Sequence, residues 1–290
     1  MKNGILYTLL TAVLFVTLEP VSKLIANDVN PYAITFWRFL IGSLFLLPPA
    51  IIKLKKEKIH ITLKDLSMMT LLGTLFICLS MPALQLAVKK ATAPSLIAVI
   101  FSANSVFTIL FALLLNKERL TANKIIALVL GVIGVIILCT DFTSGTNLSS
   151  IALTIFAALT FSLYTIPGNK YSKKFGGIIQ TAITFLTGSI ILLIVLLIAD
   201  IDISLPFEPK TLSILCYLGF FVTGIGYLSY FKAIEKGGSI MASLTFFIKP
   251  ILTPFVTFFI NGIIPDIKIF VAVACIITAS YFAVYKKISI

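Results

Sequence analysis

Charged residues are scarce in this sequence. Only 12% of its 290 residues are acidic, lysine or arginine, whereas soluble domains carry about 25%. Apolar residues make up 59% of the chain, and the mean hydropathy is +1.10. Because a folded soluble protein of this length could not bury so much apolar surface, lipid must be the solvent for most of it. The composition excludes a soluble enzyme and a soluble nucleic-acid-binding protein.

Cysteine and histidine are also rare. The four cysteines lie far apart within apolar runs, without a CxxC pair, and the single histidine, His60, lies in a basic loop. Isolated cysteines inside apolar runs are typical of small buried hydrophobic residues. The sequence therefore predicts no disulfide framework, no metal site and no cofactor.

Long apolar runs are abundant. A bilayer core of about 30 Å needs roughly 20 apolar residues per helix. The connections between the runs, among them Gly237-Gly238, are too short to hold a soluble domain. We therefore predict one all-α integral membrane domain with ten transmembrane helices. The predicted spans are residues 4–26, 31–52, 66–88, 93–115, 124–140, 149–168, 178–199, 212–234, 240–260 and 268–285.

The basic residues indicate the orientation of the chain. Lysine and arginine number 23 against 11 acidic residues, and most of the 23 fall in the loops on the side that holds both termini. Cytoplasmic loops carry an excess of basic residues. We expect a multi-pass protein of the cell (plasma) membrane with cytoplasmic N- and C-termini. The basic excess is then a topology signal, and no nucleic-acid partner is needed to explain it.

The two halves of the chain resemble each other weakly. Residues 105–118 align with residues 250–263 and match Thr108 with Thr253. Five helices per half is an odd number, so two similar halves must lie upside down relative to each other. We predict two inverted five-helix repeats, 1–142 and 143–290, with a site between them as in secondary transporters.

Ionisable residues within the spans are the candidate site residues. Such a group costs at least about 2.5–3.5 kcal/mol at bilayer depth, so it faces a partner or a cavity. Glu19 is the only acid deep in a predicted span, and Lys249 and Asn104 lie at the middle of their helices. Pro20 follows Glu19 and Pro250 follows Lys249, and each proline predicts a helix kink.

Other polar residues share these faces. Thr245, Lys249, Thr253 and Thr257 recur every four residues and form one polar stripe on the ninth predicted helix. Lys23 and Arg38 lie near the ends of their spans, where snorkelling to the interface is as good an explanation as function. The remaining candidates for substrate binding or coupling are Lys23, Gln85, Thr108, Tyr164, Tyr227 and Tyr230.

The charges suggest two interpretations. Glu19 as an ammonium-binding or acid/base group and Lys249 as an anion-binding group would suit a zwitterion such as an amino acid, with the tyrosines packing its side chain. Alternatively the charges form a structural ion pair, either Glu19–Lys23 within one helix or Glu19–Lys249 across two.

Short motifs are spread along both halves of the chain: Glu19-Pro20-Val21-Ser22-Lys23, Arg38, Glu118-Arg119-Leu120-Thr121 and Gly131-Val132-Ile133-Gly134, with a related pattern from Tyr227 to Pro250. Together these motifs give the whole chain a resemblance to the EamA family of the drug/metabolite transporter superfamily. It implies ten helices in two inverted repeats, a central cavity, and efflux or exchange of small metabolites. The sequence departs from the family pattern at Ser105 and Ile263, and the Glu19 and Lys249 pair is not general in the family.

The predicted function is a secondary transporter that exports or exchanges a small polar or zwitterionic metabolite by alternating access. Its partners would be a small-molecule substrate and the lipid bilayer, with protons as the candidate coupling ion. The alternatives are multidrug or organic-cation efflux and flipping of a lipid-linked intermediate. An intramembrane enzyme is disfavoured because the spans hold no histidine, no pair of acids and no zinc-ligand spacing.

Overall fold

The computed structural model describes residues 2–115, 122–139, 147–243 and 245–284, and these residues form helices and short connections without a strand. Two π-helical segments, π1 (Thr74–Ser80) and π2 (Tyr217–Gly226), interrupt the α-helices. The α-helices are α1 (Lys2–Val16), α2 (Leu18–Lys23), α3 (Pro31–Lys56), α4 (Leu63–Gly73), α5 (Met81–Lys90), α6 (Pro94–Ser102), α7 (Asn104–Leu115), α8 (Ala122–Cys139), α9 (Leu148–Phe175), α10 (Gly177–Ile198), α11 (Pro209–Cys216), α12 (Tyr227–Ser243), α13 (Thr245–Asn261) and α14 (Ile267–Val284).

Within the part of the chain that the structure describes, six helical stretches are long and apolar enough to cross a bilayer. They match six of the ten predicted spans, which supports a multi-pass membrane protein. Three shorter apolar helices are Pro94–Thr108, Ile248–Asn261 and Ile267–Ala279. The six stretches are Gly4–Lys23, Pro31–Lys56, Leu63–Lys90, Leu148–Phe175, Gly177–Ile198 and Pro209–Lys236.

The predicted span 93–115 is divided into α6 and α7. The break falls at Ala103, whose amide donates to the carbonyl of Ile100 at 3.1 Å. This bond joins residues three positions apart, whereas an α-helical bond joins residues four positions apart. The Asn104 side chain then donates to the Phe101 carbonyl at 2.8 Å. An asparagine side chain that competes for backbone carbonyls disfavours the helix interior. Apolar content alone could not reveal this break.

Two other boundaries differ from the prediction. Helix α9 continues past residue 168 to Phe175 and ends at Gly176, whose φ of +86° favours glycine. The connection predicted at Gly237-Gly238 was wrong, because α12 remains helical through both glycines to Ser243. An apolar run indicates only the part of a helix that lies inside the hydrocarbon core. A span predicted from it therefore ends too early when the helix continues beyond the core.

The first span is broken at Thr17, between α1 and α2. Pro20 has no amide proton and its ring crowds the carbonyl four residues earlier, so the turn before it cannot keep regular helical bonds. The Thr17 hydroxyl bonds the Leu14 carbonyl at 2.8 Å and the Tyr217 hydroxyl at 2.9 Å. Helix α13, in contrast, runs without a break through Pro250 and Pro254.

Both halves contain one helix with a π-helical middle. In the first half α4, π1 and α5 follow one another directly, and in the second half α11, π2 and α12 do so. π-Helical turns are rare and occur frequently at functional sites. The segment π2 packs against both α1 and α3, the two helices that flank Glu19 in the chain.

Candidate functional site

Glu19 and Lys249 form a buried ion pair. The Lys249 Nζ lies 2.6 Å from the Glu19 Oε1, and the two side chains are 2% and 0% exposed. A charge-assisted hydrogen bond of this length offsets part of the large cost of removing two charges from water. Glu19 comes from α2 and Lys249 from α13, so the pair joins the two halves of the chain. Of the two pairings left open by the sequence, the structure contains Glu19–Lys249.

The polar stripe of α13 lies against α1 and α2. The Thr245 hydroxyl reaches the Thr8 carbonyl at 3.4 Å, and the Thr253 hydroxyl donates to the Lys249 carbonyl at 2.7 Å. Thr257 is buried, and its Oγ1 has no hydrogen-bond partner in the described part of the chain. Asn261 lies one turn further on and donates to the Pro20 carbonyl at 3.2 Å.

Arg38, on α3, is fully buried. Its Nε donates to the Thr223 Oγ1 at 3.1 Å, and its guanidinium lies 4.8 Å from the ring centre of Phe39. Neither Nη1 nor Nη2 has an acceptor among the residues that the structure describes. The guanidinium interacts electrostatically with Glu19 and Tyr227. Snorkelling therefore does not account for Arg38, since its exposed fraction is 0%.

A glycine sets the distance between Arg38 and its acceptor. Gly42 lies one turn after Arg38, and a Cβ at this position would meet the Thr223 Cγ2 at 2.9 Å and the Gly219 carbonyl oxygen at 3.1 Å. The absence of a side chain lets α3 approach π2 closely enough for the Arg38–Thr223 hydrogen bond. Sequence reasoning did not select Gly42 or Thr223, because a close approach between distant segments has no local signature.

Gln85 and Lys23 occupy different surroundings. Gln85 is buried and donates to the Ser22 hydroxyl at 3.3 Å, which places it against α2. The Lys23 Nζ donates to three main-chain carbonyls at the end of α5, those of Val88, Lys89 and Ala91, at 3.1, 3.0 and 2.6 Å. Lysine near a helix C-terminus satisfies carbonyls that lack helical partners. The structure thus places Lys23 at a helix end and not on Glu19.

Asn104 and Thr108 make local contacts. The Asn104 amide bonds the Phe101 carbonyl, as described above, and the Thr108 hydroxyl donates to the Asn104 carbonyl at 2.8 Å. The Asn104 carbonyl also accepts from Ser162 at 2.8 Å. The nearest link to the ion pair is Phe101, whose ring centre lies 5.4 Å from the Lys249 Nζ. The structure therefore does not bring the Asn104 side chain onto the Glu19–Lys249 pair.

The three candidate tyrosines lie in one buried aromatic cluster. Tyr164 stacks on Phe76 with ring centres 4.5 Å apart, and its hydroxyl accepts from the Gln180 amide at 3.2 Å. Tyr227 is 5.6 Å from the same Phe76, and Tyr230 is 5.7 Å from Phe246. The cluster contains Phe15, Phe39, Phe76, Phe101, Phe161, Tyr164, Phe185, Tyr227, Tyr230, Phe231 and Phe246.

Comparisons with known proteins decide the family. The sequence model described as "EamA-like transporter family" matches residues 2–140 and again residues 148–285. The chain belongs to the EamA-like transporter family. A relative from Clostridium kluyveri, named an uncharacterized transporter, is 33% identical in sequence. The alignment covers 97% of this chain and 92% of the relative's length. An uncharacterized transporter from Archaeoglobus fulgidus is 25% identical over 88% of both chains.

The fold agrees with a solved structure. A crystal structure, 16% identical in sequence, matches this EamA-like chain with a TM-score of 0.69 and covers 98% of this chain and 96% of its own. At this identity the match concerns the fold alone. The family residues from Glu118 to Thr121 that contributed to the resemblance lie outside the described residues.

One larger cavity of this EamA-like protein lies away from the ion pair. It has a volume of about 490 Å³ and lies between the ends of α3, α9 and α12. Its walls carry charges of both signs, including Lys53, Glu57, Lys174 and Glu235, and none of the candidate site residues. Within residues 2–115, 122–139, 147–243 and 245–284 no group of three or more His, Cys, Asp or Glu residues could hold a metal ion.

Proposed function

We propose that this protein is a secondary transporter that exports or exchanges a small polar or zwitterionic metabolite, with an amino acid as the leading candidate. The observation that carries the proposal is the buried Glu19–Lys249 pair between the two halves. Ionisable groups inside a membrane are costly, and they mark substrate and ion pathways. The EamA-like family membership gives the transport class, and the buried pair supports a site at Glu19 and Lys249.

The polar stripe supports a pathway across the membrane. From Thr245 to Asn261 polar residues recur every four positions of α13, which at 1.5 Å per residue spans roughly 24 Å of a core about 30 Å thick. The four members of the stripe are buried against other helices, and Asn261, which follows them, is half-buried. A buried polar seam of this length suits a route that a polar substrate can follow.

Alternating access follows from two repeats with the site between them. The two family matches, one per half, support two repeats, which we take to be inverted and to contain five spans each. Both termini would then be cytoplasmic, and the protein would lie in the cell membrane. Since Glu19 belongs to one half and Lys249 to the other, movement of the halves would separate the pair and free both groups for substrate.

Protons are the proposed coupling ion. Glu19 is the only acid buried in a membrane-length stretch within the described residues, apart from Asp65 in the first turn of α4. When the pair opens, the Glu19 carboxylate loses its counter-ion in a low-dielectric site and gains from binding either a proton or an ammonium group. Competition between the two would couple substrate export to proton entry. No enzymatic step is proposed.

A thermal-shift screen tests the substrate class. Purified protein is heated with amino acids, nucleosides, organic cations or sugar phosphates, and each hit is repeated on Lys249→Ala, with Lys174→Ala as the control that removes a partly exposed lysine. Stabilisation by amino acids that is lost in Lys249→Ala and kept in Lys174→Ala supports the proposal. Stabilisation by organic cations alone would replace it with cation efflux, and stabilisation by none of these classes would contradict it.

A further inference from the structure

Arg38 carries more hydrogen-bonding capacity than the protein uses. A guanidinium has five N–H donors and stays charged. Only Nε has a partner, the Thr223 hydroxyl, and both terminal nitrogens lack an acceptor within the described residues although the side chain is 0% exposed. An arginine buried for a structural purpose normally uses its planar fork, because an unpaired buried charge is costly.

The buried charges near Arg38 do not balance. The Glu19 Oε1 is bonded to Lys249 at 2.6 Å, and neither terminal nitrogen of Arg38 contacts a carboxylate among the described residues. Lys249 therefore has a carboxylate partner, whereas the buried charge of Arg38 has none. The Oε2 of Glu19 has no hydrogen-bond partner in the described part of the chain. These residues thus present unused donors on Arg38 and an unused acceptor on Glu19.

The orientation of Arg38 is fixed by its neighbours. The Thr223 hydroxyl holds Nε from π2, and Phe39 packs at 4.8 Å from the guanidinium carbon. Gly42 allows π2 to lie close to α3, as shown above. A preorganised guanidinium whose Nη1–Nη2 edge is free matches a planar carboxylate, which two parallel N–H donors can bind. A lone ammonium, by contrast, would be repelled.

We propose that Arg38 is the carboxylate-binding residue of the transported substrate and that the Oε2 of Glu19 binds the substrate's ammonium group. Lys249 remains the counter-ion of Glu19 until the halves separate. The substrate class is then an α-amino acid, and compounds that lack a carboxylate bind more weakly. This inference rests on the proposed transport function, and it assigns the anion-binding role to Arg38 where the sequence alone favoured Lys249.

The test compares amino acids with their amides on the detergent-purified full chain. The probes are L-alanine, L-leucine, L-phenylalanine and L-glutamine, each against its α-amide, which keeps the ammonium group and side chain but has no carboxylate. Titration calorimetry on the wild type needs no variant and is thus independent of folding defects. Arg38→Lys keeps the charge but loses the fork, and Lys174→Gln is the control for removing a cation elsewhere.

The expected result is that at least one amino acid binds and that its amide binds about tenfold more weakly or worse, as loss of a charge-assisted hydrogen bond predicts. Arg38→Lys should weaken binding of the acid by a similar factor and leave binding of the amide unchanged. Amides that bind as well as acids, or an Arg38→Lys variant with wild-type affinity for the acid, would overturn the inference while the transport proposal stands. Binding of neither acids nor amides would contradict both.

Discussion

Lys249 and Glu19, 230 positions apart in the sequence, are joined by a hydrogen bond of 2.6 Å inside the helical bundle. The bond links α13 of the second half to α2 of the first. Such a link can act as a latch between the halves, because any movement that separates α2 from α13 must break it. The latch also makes the two residues energetically dependent on each other, which mutation can measure.

Removing one partner of the pair should destabilise the protein more than removing both. Glu19→Gln leaves an unpaired buried lysine and Lys249→Met an unpaired carboxylate, and each should cost about 3–5 kcal/mol, whereas the double variant should lose clearly less. Thermal unfolding in detergent checks this. The control is Asp65 with Lys174, at 2.7 Å but with the lysine 52% exposed, for which coupling should stay below about 1 kcal/mol. Additive losses at Glu19 and Lys249 would show that the pair does not act as a unit.

Lys23→Met should lower stability without changing substrate affinity. The ammonium group donates to three carbonyls at the end of α5. A hydrogen bond to a charged group contributes about 1.5–3 kcal/mol to the free energy of unfolding. We expect a lower unfolding temperature and an unchanged Kd for the best ligand of the thermal-shift screen. A weaker Kd at unchanged stability would place Lys23 in the substrate site after all.

Thr257→Val separates a pathway from a packing role for the polar stripe. The Thr257 hydroxyl is buried and has no partner in the described residues, so the nearly isosteric valine should leave stability unchanged or raise it. If the stripe contacts the moving substrate, uptake into proteoliposomes should fall. Thr154→Val in α9 is the matched control, because that buried hydroxyl is bonded to the Ser150 carbonyl of its own helix and lies outside the stripe. Unchanged uptake in Thr257→Val would limit the stripe to helix packing.

Gly73 and Gly188 should tolerate no side chain. A Cβ on Gly73 would meet the Thr184 carbonyl oxygen, and one on Gly188 would lie 2.7 Å from the Gly73 oxygen, so the main chains of α4 and α10 meet here. Alanine at either position should cost about 1–3 kcal/mol through overpacking. Gly168→Ala, with its nearest neighbour at 3.6 Å, should be neutral or stabilising in thermal unfolding. Equal effects at all three would contradict the close approach.

Charges within apolar runs were the features that sequence could identify. Glu19 and Lys249 stand out because a charge at bilayer depth needs a partner, and the structure pairs them. The choice between Lys23 and Lys249 as partner could not be made, since both satisfy the simple rules. Lys23 is bonded to α5 because the chain turns after α2, a matter of tertiary packing that spacing along one helix does not encode.

Arg38 and the π-helical segments were beyond the reach of sequence reasoning. Arg38 lies close enough to a span end for snorkelling, and only the rotation of α3 against π2 decides that it is buried. The helical period of 3.6 identifies a face but does not locate π2, whose extra residue per turn has no composition signal. The family resemblance, on motifs from both halves, was confirmed by the family match across the chain.

In the proposed mechanism, the Glu19–Lys249 pair couples proton movement to export of a polar metabolite. The most direct measurement follows, in proteoliposomes, the amino acid with the largest thermal shift, once under an imposed pH gradient and once as exchange without a gradient. Wild-type protein should accumulate substrate under the gradient and also exchange it. Glu19→Gln keeps an amide oxygen that can accept from the substrate's ammonium group but cannot take up a proton, so at saturating substrate it should exchange but not accumulate it. Gradient-driven accumulation that survives in Glu19→Gln, or no flux of either kind in the wild type, would contradict the account.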